Sequence, residues 1–197
     1  MDEVVRRALA KWPSVPAVYG WLSLDRRGRW LLRGESIDNP IVTGFIARNY
    51  THDACGRWYF QNGPQRVFVD LEYTPIVVRA AGESRLLTHT GQLVSAIDGA
   101  WIDECGRMLV KTEHGPALID DRDIEAFWST AAAPETSGLD EDQLIAAMEE
   151  LQRGGGADLR IQYAGSTIAL HPIAAADVPA RFGFIAHPRS PEQSECT

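Results

Sequence analysis

The pattern Asp-x-x-Gly-Arg occurs three times, at Asp25–Arg29, Asp53–Arg57 and Asp103–Arg107. An Asp opening such a segment accepts hydrogen bonds from its own downstream backbone, and the Gly supplies the positive φ that closes a tight loop. Apolar and aromatic residues flank each copy, so each predicts a β-hairpin. Further punctuation stands at Asn62-Gly63-Pro64, Ala81-Gly82-Glu83, Asp98-Gly99 and His114-Gly115-Pro116. A chain interrupted this often is committed to short antiparallel strands. The second and third copies share more than the turn: each has a Cys before its Gly and a Gly-Pro further on.

The spacing predicts a first hairpin over 18–24 and 30–32, then strands at 57–60, 66–71, 76–79, 85–88, 100–102, 107–111 and 117–119. Val4, Val5, Ala8, Leu9 and Trp12 predict an amphipathic helix stopped by Pro13. Asn39 as N-cap and Pro40 at the first helical position predict a second helix to about Tyr50, with Ile41, Val42, Phe45 and Ile46 on one face. Asp121 caps a short helix through Ile124, Phe127 and Trp128. Residues 129–138 read as a linker. Leu144, Ile145, Met148 and Leu151 mark an acidic helix ended by Gly154-Gly155-Gly156, and a last hairpin follows over 159–163 and 167–170. The fold class is α+β, rich in antiparallel hairpins. The expected layout is a helix-hairpin-helix module (1–52), a central pleckstrin-homology-like barrel (53–130), a C-terminal helix-hairpin module (139–188) and a disordered tail (189–197). The flanking units resemble each other in element order, as a duplicated unit would.

Composition narrows the class. No apolar run approaches the ~20 residues of a membrane span, and a start with two acids argues against a secretory signal. Three cysteines, Cys55, Cys105 and Cys196, are too few and too odd in number for a disulfide scaffold. They point to a reducing, cytoplasmic compartment. Seventeen of the 19 basic residues are Arg, the usage of a GC-rich bacterial genome. The net charge of −8 is uneven: residues 1–80 hold 11 Lys and Arg against 8 Asp and Glu, and residues 81–197 hold 8 against 19. An acidic chain is a poor binder of long nucleic acid. A small anion on the N-terminal half is compatible with the balance.

The run Asp25-Arg-Arg-Gly-Arg-Trp-Leu-Leu-Arg-Gly34, then Ile37, Asn39-Pro40-Ile-Val with Phe45, Asp53-Ala-Cys-Gly-Arg-Trp-Tyr-Phe60, Gly63-Pro64, Arg66-Val-Phe-Val-Asp70 and Thr74-Pro75-Ile-Val77 resembles an uncharacterised bacterial family, the domain of unknown function 1285. The family order is D-G-x-W, G-x-P-I, a helix, D-G-x-Y, T-P-V-E-K-V and P-F. The resemblance spans about residues 24–78. It implies two β-rich modules, the second pleckstrin-homology-like, with a nucleotide-like ligand at their interface. This chain departs from the pattern at Pro64-Gln65-Arg66-Val67, where the family's Glu-Lys pair has become Gln65-Arg66. Chemistry that depended on that acid is absent here.

Motifs for catalysis are weak. His52, His89, His114, His171 and His187 show no metal-ligand spacing, so no metal and no cofactor are expected. Cys55 follows His52 and Asp53, but its counterpart Cys105 sits beside two acids. A site repeated with opposite electrostatics reads as structural. Asp70 and Glu72 have the spacing of one strand face, equally that of a solvated edge. There is no phosphate loop, and the Gly154–Gly156 run follows its helix instead of opening one. The candidate site is the cluster Arg48, Asn49, Arg57, Tyr59, Gln61 and Arg66, where the second helix meets the central strands. Arg57, Tyr59 and Gln61 share a strand face, with Trp58 and Phe60 on the other. Arginines pair with phosphate or carboxylate, and a Tyr stacks on a ring. The reading is a regulatory module binding a small anionic, nucleotide-like ligand. A protein-interaction module is the alternative, and a hydrolase-type enzyme ranks third.

Overall fold

The three Asp-x-x-Gly-Arg segments fold into one and the same loop. The Asp Oδ1 accepts from the backbone N–H groups two and four residues on, at 2.9 and 2.8 Å for Asp25, 3.0 and 3.0 Å for Asp53, and 2.9 and 2.8 Å for Asp103. The Gly N–H returns to the Asp carbonyl, with φ of 75°, 75° and 77° at Gly28, Gly56 and Gly106. The Arg side chain then donates to the Asp Oδ2, at 2.6, 2.8 and 3.1 Å. One carboxylate thus satisfies three donors locally, which is why so short a pattern sets a hairpin by itself.

These loops join strands in a computed structural model that describes residues 1–12, 14–82, 85–125, 141–153 and 159–190. The elements are α1 (Glu3–Lys11), β1 (Val18–Leu24), β2 (Trp30–Leu32), β3 (Glu35–Ser36), α2 (Pro40–Arg48), β4 (Tyr50–His52), β5 (Trp58–Asn62) and β6 (Gln65–Leu71). They continue as β7 (Ile76–Ala80), β8 (Leu86–Thr88), β9 (Ile97–Ile102), β10 (Met108–Thr112), β11 (Gly115–Ile119), α3 (Glu141–Gln152), β12 (Arg160–Tyr163), β13 (Ser166–Pro172) and α4 (Val178–Phe182). The architecture is α+β and β-rich. Two units divide the chain: residues 1–75 with the segment from Pro179 onward, and residues 76–178.

The first unit holds a six-stranded sheet in the order β3-β2-β1-β6-β5-β4. All its pairs are antiparallel except β1 with β6, which run parallel with Leu22 opposite Val69 and Leu24 opposite Leu71. One sheet face buries Leu22, Leu24, Trp30, Trp58, Phe60, Val69 and Leu71. Helix α2 lies on this face. Asn39 caps it by accepting from Ile41 N at 2.9 Å, with Pro40 at the first position, as the sequence predicts. Its buried stripe differs from the expected one. Phe45 meets Phe60 edge-on at 5.4 Å and Ile46 is buried, but Ile41 is 80% exposed and Val42 faces solvent too. The buried positions are Ile46 and Asn49, at the C-terminal end of the helix, while Ile41 and Val42 lie in its first turn.

The second unit holds a seven-stranded sheet in the order β12-β13-β9-β10-β11-β7-β8. Its parallel pairs are β13 with β9 and β11 with β7. Met108, Leu109 and Val110 have no exposed surface, so β10 is covered on both faces. The sheet curls until its edges meet. Tyr163 on edge strand β12 donates its hydroxyl to Val94 O at 2.8 Å and accepts from Leu86 N, on edge strand β8, at 3.1 Å. Burial raises the pKa of this phenol, which keeps it a donor.

The strand partition departs from the expected modules. Residues 58–71, assigned by sequence to the central barrel, pair with β1 in the first sheet. The reason is the parallel β1–β6 ladder, a nonlocal pairing that no turn signal announces. The expected helix positions Phe127 and Trp128, the 129–138 linker, the Gly154–Gly156 stop and the tail from residue 191 lie outside the described residues.

Candidate functional site

The six residues of the predicted cluster all fall in the first unit, around β5 and the C-terminal end of α2. The structure sorts them by what already holds them. Asn49 is 1% exposed. Its Oδ1 accepts from Asp2 N at 2.7 Å, and its Nδ2 donates to Phe45 O at 2.9 Å. Its carbonyl accepts from Gln61 N at 2.9 Å, joining α2 to β5. Asn49 is therefore a junction between helix and sheet.

Gln61 is fully buried. Its Nε2 donates to Gly63 O at 2.9 Å, and its Oε1 has no hydrogen-bond partner among the described residues. Helix α1 lies against the same turn, with Ala8 Cβ 3.9 Å from where a side chain on Gly63 would begin. Arg48 reaches across to Asp2, with Nε 3.3 Å from each carboxylate oxygen. That exposed pair, with the Asp2–Asn49 bond, ties the start of α1 to the end of α2.

Arg57 belongs to its own turn. Its Nε donates to Asp53 Oδ2 at 2.8 Å, its Nη2 lies 2.7 Å from the same oxygen, and its guanidinium stacks 4.9 Å above Phe68. Burial alone would raise the Asp53 carboxyl pKa. The hydrogen bonds and charge of Arg57, with the Cys55 N–H, hold it below the ordinary range instead. Tyr59 is 7% exposed, beside Phe68, which also stacks on Tyr19 at 4.6 Å. Arg66 stands apart from the rest. It is exposed, its guanidinium lies 4.8 Å over the Tyr59 ring, and it has no carboxylate partner among the described residues. The expected alternation on β5 is present, with Tyr50 and Phe60 opposed on the α2 face and Tyr59 opposite Phe68 on the other. The second face is nonetheless covered, so Tyr59 and Gln61 are not surface groups.

The carboxylates considered for acid–base chemistry have separate cationic partners. Asp70 Oδ1 lies 3.5 Å from His187 Nδ1 and 3.4 Å from Arg189 Nη1, and Glu72 is held by Arg26 at 2.6 Å. Among the described residues no group of three His, Cys, Asp or Glu could hold a metal ion. No helix among them is long and apolar enough to cross a membrane.

A family model described as a protein of unknown function, DUF2946, matches residues 1–189. The chain belongs to that family. This DUF2946 member also shares its fold with a solved DUF1285 family protein from Silicibacter pomeroyi DSS-3. The two are 16% identical, with a TM-score of 0.53, over 87% of this chain and 96% of that one. A second DUF1285 structure, from Shewanella baltica OS155, is 14% identical, with a TM-score of 0.43, over 63% of this chain and 96% of that one. No curated protein matches. The resemblance read from Asp25 to Val77 thus has a counterpart in three dimensions.

Three features of this DUF2946 chain escaped the sequence reading. One is the Tyr163 bridge. Another is the knot at the end of β11, where Asp120 takes Arg122 Nε and Nη2 at 2.9 and 2.5 Å while Arg79 lies 3.6 Å from both Asp120 and Asp123. The Arg122 hydrogen bonds lower the Asp120 pKa to about 2. The Asp-Asp-Arg-Asp run at 120–123 was its signal. The third is the approach of residues 183–187 to the Asp53–Arg57 turn, for which Gly56 and Gly183 were the only hints.

Proposed function

We propose that this protein is a non-catalytic regulatory module whose first unit binds a small anionic, nucleotide-like ligand through Arg66. One observation supports the reading above the others. Arg66 is an exposed guanidinium braced on an aromatic ring, with no carboxylate partner among the described residues. It takes a phosphate or carboxylate without first giving up an internal bond, whereas Arg48 and Arg57 must release Asp2 and Asp53. The charge balance agrees: the first unit carries 12 basic and 10 acidic residues, the second 7 and 17. On this reading Tyr59 supports the guanidinium, and Asn49 and Gln61 hold the strand that carries Tyr59. The cytoplasm and a pleckstrin-homology-like character for the barrel-like second sheet belong to the same proposal.

The test is a thermal-shift screen of mononucleotides, cyclic nucleotides, phosphate and citrate on the wild type and Arg66→Ala. A ligand at 100 times its Kd stabilises by ~2.7 kcal/mol, several degrees for a domain of this size. A wild-type shift that vanishes in Arg66→Ala supports the reading, and no shift with any anion overturns it. A second reading, docking of a protein partner, rests on Trp21. That ring is 49% exposed with the Arg33 guanidinium 3.9 Å above it, the residue pair that dominates binding hot spots. A partner lost on Trp21→Ala while the anion screen stays silent favours it.

A further inference from the structure

Strands β1 and β6 fall out of step beside Arg66. Between the pairs Val18–Val67 and Leu22–Val69, β1 runs through three residues and β6 through one. Gly20, at φ 70°, lies within this bulge, the kind of irregularity that re-aims a side chain. Tyr19 comes to stack on Phe68 at 4.6 Å. Leu22 is buried opposite Val69, so Trp21 before it takes the other face, the one that Arg66 and Phe68 share by alternation. Trp21 is level with Phe68. It therefore stands two residues along the sheet from Arg66 and one strand across, ~8 Å between Cα atoms.

Trp21 is one half of a second arginine–ring pair. Arg33 N donates to Trp21 O at 2.7 Å, and the Arg33 guanidinium lies 3.9 Å over the indole. Arg33 and Gly34 make the β2–β3 turn, both with positive φ, 52° and 89°. Asn, Asp or Gly suits the first of these positions, and an Arg there is strained. What the strained position gains is a guanidinium over an exposed indole. Arg33 has no carboxylate partner among the described residues. The surroundings are open: Trp21 is 49% exposed, and a Cβ on Gly20 or Gly34 would meet no atom within 4 Å.

An exposed indole backed by a guanidinium is a stacking platform for a flat ring. We propose that the ligand of Arg66 carries a flat, nucleobase-like ring, which stacks on the Trp21–Arg33 pair while the anionic group meets Arg66. This rests on the Arg66 reading and names the other half of the ligand. A nucleoside monophosphate has its phosphate at one end and its base at the other, as two sites set apart on one sheet face require. Ribose 5-phosphate offers the anion alone.

The experiment measures the affinity of adenosine monophosphate and of ribose 5-phosphate for the wild type, Trp21→Ala, Trp21→Phe and Arg66→Ala by calorimetry. The wild type should bind the nucleotide at least ~5-fold more tightly than the sugar phosphate, the size of one base–aromatic stack. Trp21→Ala should remove that preference and leave ribose 5-phosphate within ~2-fold of its wild-type affinity, while Trp21→Phe keeps a preference. Arg66→Ala should weaken both ligands. Equal affinities in the wild type, or a preference that survives Trp21→Ala, overturn the ring site while leaving the anion reading intact. Nucleotide binding that depends on Trp21 but not on Arg66 supports the ring site and overturns the anion reading. Silence of both ligands on the wild type overturns both.

Discussion

Tyr163 and Asp120 show what single buried polar groups contribute to the second unit. Replacing Tyr163 with Phe keeps the ring but strands Leu86 N–H and Val94 C=O without their partner. The expected cost is about 1–3 kcal/mol by chemical denaturation. A value near zero would mean that the edge-to-edge bridge carries no stability. Asp120 makes a pH prediction. Its folded pKa is lowered from 3.8 to about 2 by Arg122. Its contribution is therefore fully present above pH ~4 and is lost as pH falls towards ~2, a difference of at most about 2 kcal/mol given the half-exposed Arg122. Arg122→Ala should shrink that acid-induced loss, read as the change in denaturation midpoint between pH 5 and pH ~2.

At the scale of elements, the hairpin turns and the C-terminal contact make opposite demands on glycine. Gly91, at φ 82°, has open space around its Cβ position, whereas Gly56, at φ 75°, meets backbone. Gly91→Ala should cost only the left-handed penalty of about 1–2 kcal/mol. Gly56→Ala should cost about 1–3 kcal/mol more and release residues 183–189. Equal costs would show that the close approach is not maintained in solution. The same contrast explains what could be read in the sequence. The Asp25, Asp53 and Asp103 turns were legible because donor and acceptor lie within five residues of each other, and Asn39-Pro40 was legible for the same reason. The parallel pairs β1–β6, β11–β7 and β13–β9 were not, because nothing near Leu22 encodes its partner Val69. Within the candidate site, the sequence placed Arg48, Asn49, Arg57, Tyr59, Gln61 and Arg66 around one junction. It could not say that Asn49 and Gln61 are buried, since an amide joining a helix to a strand looks like any surface amide until the strand is covered.

Across the molecule, the two units divide the charge: the first is slightly basic and the second strongly acidic. The functional reading turns on how the basic unit spends its arginines. Arg48 and Arg57 of the cluster pair with Asp2 and Asp53, and Arg66 lies over the Tyr59 ring with no carboxylate partner among the described residues. The most direct measurement is an NMR titration of the arginine Nε–Hε resonances with adenosine monophosphate and with inorganic phosphate, assigned through Arg57→Lys and Arg66→Lys. The account predicts that the Arg66 signal moves and saturates while the Arg57 signal, held on Asp53, stays in place. Saturable movement at Arg57 with Arg66 unmoved, or no movement at either, would contradict it.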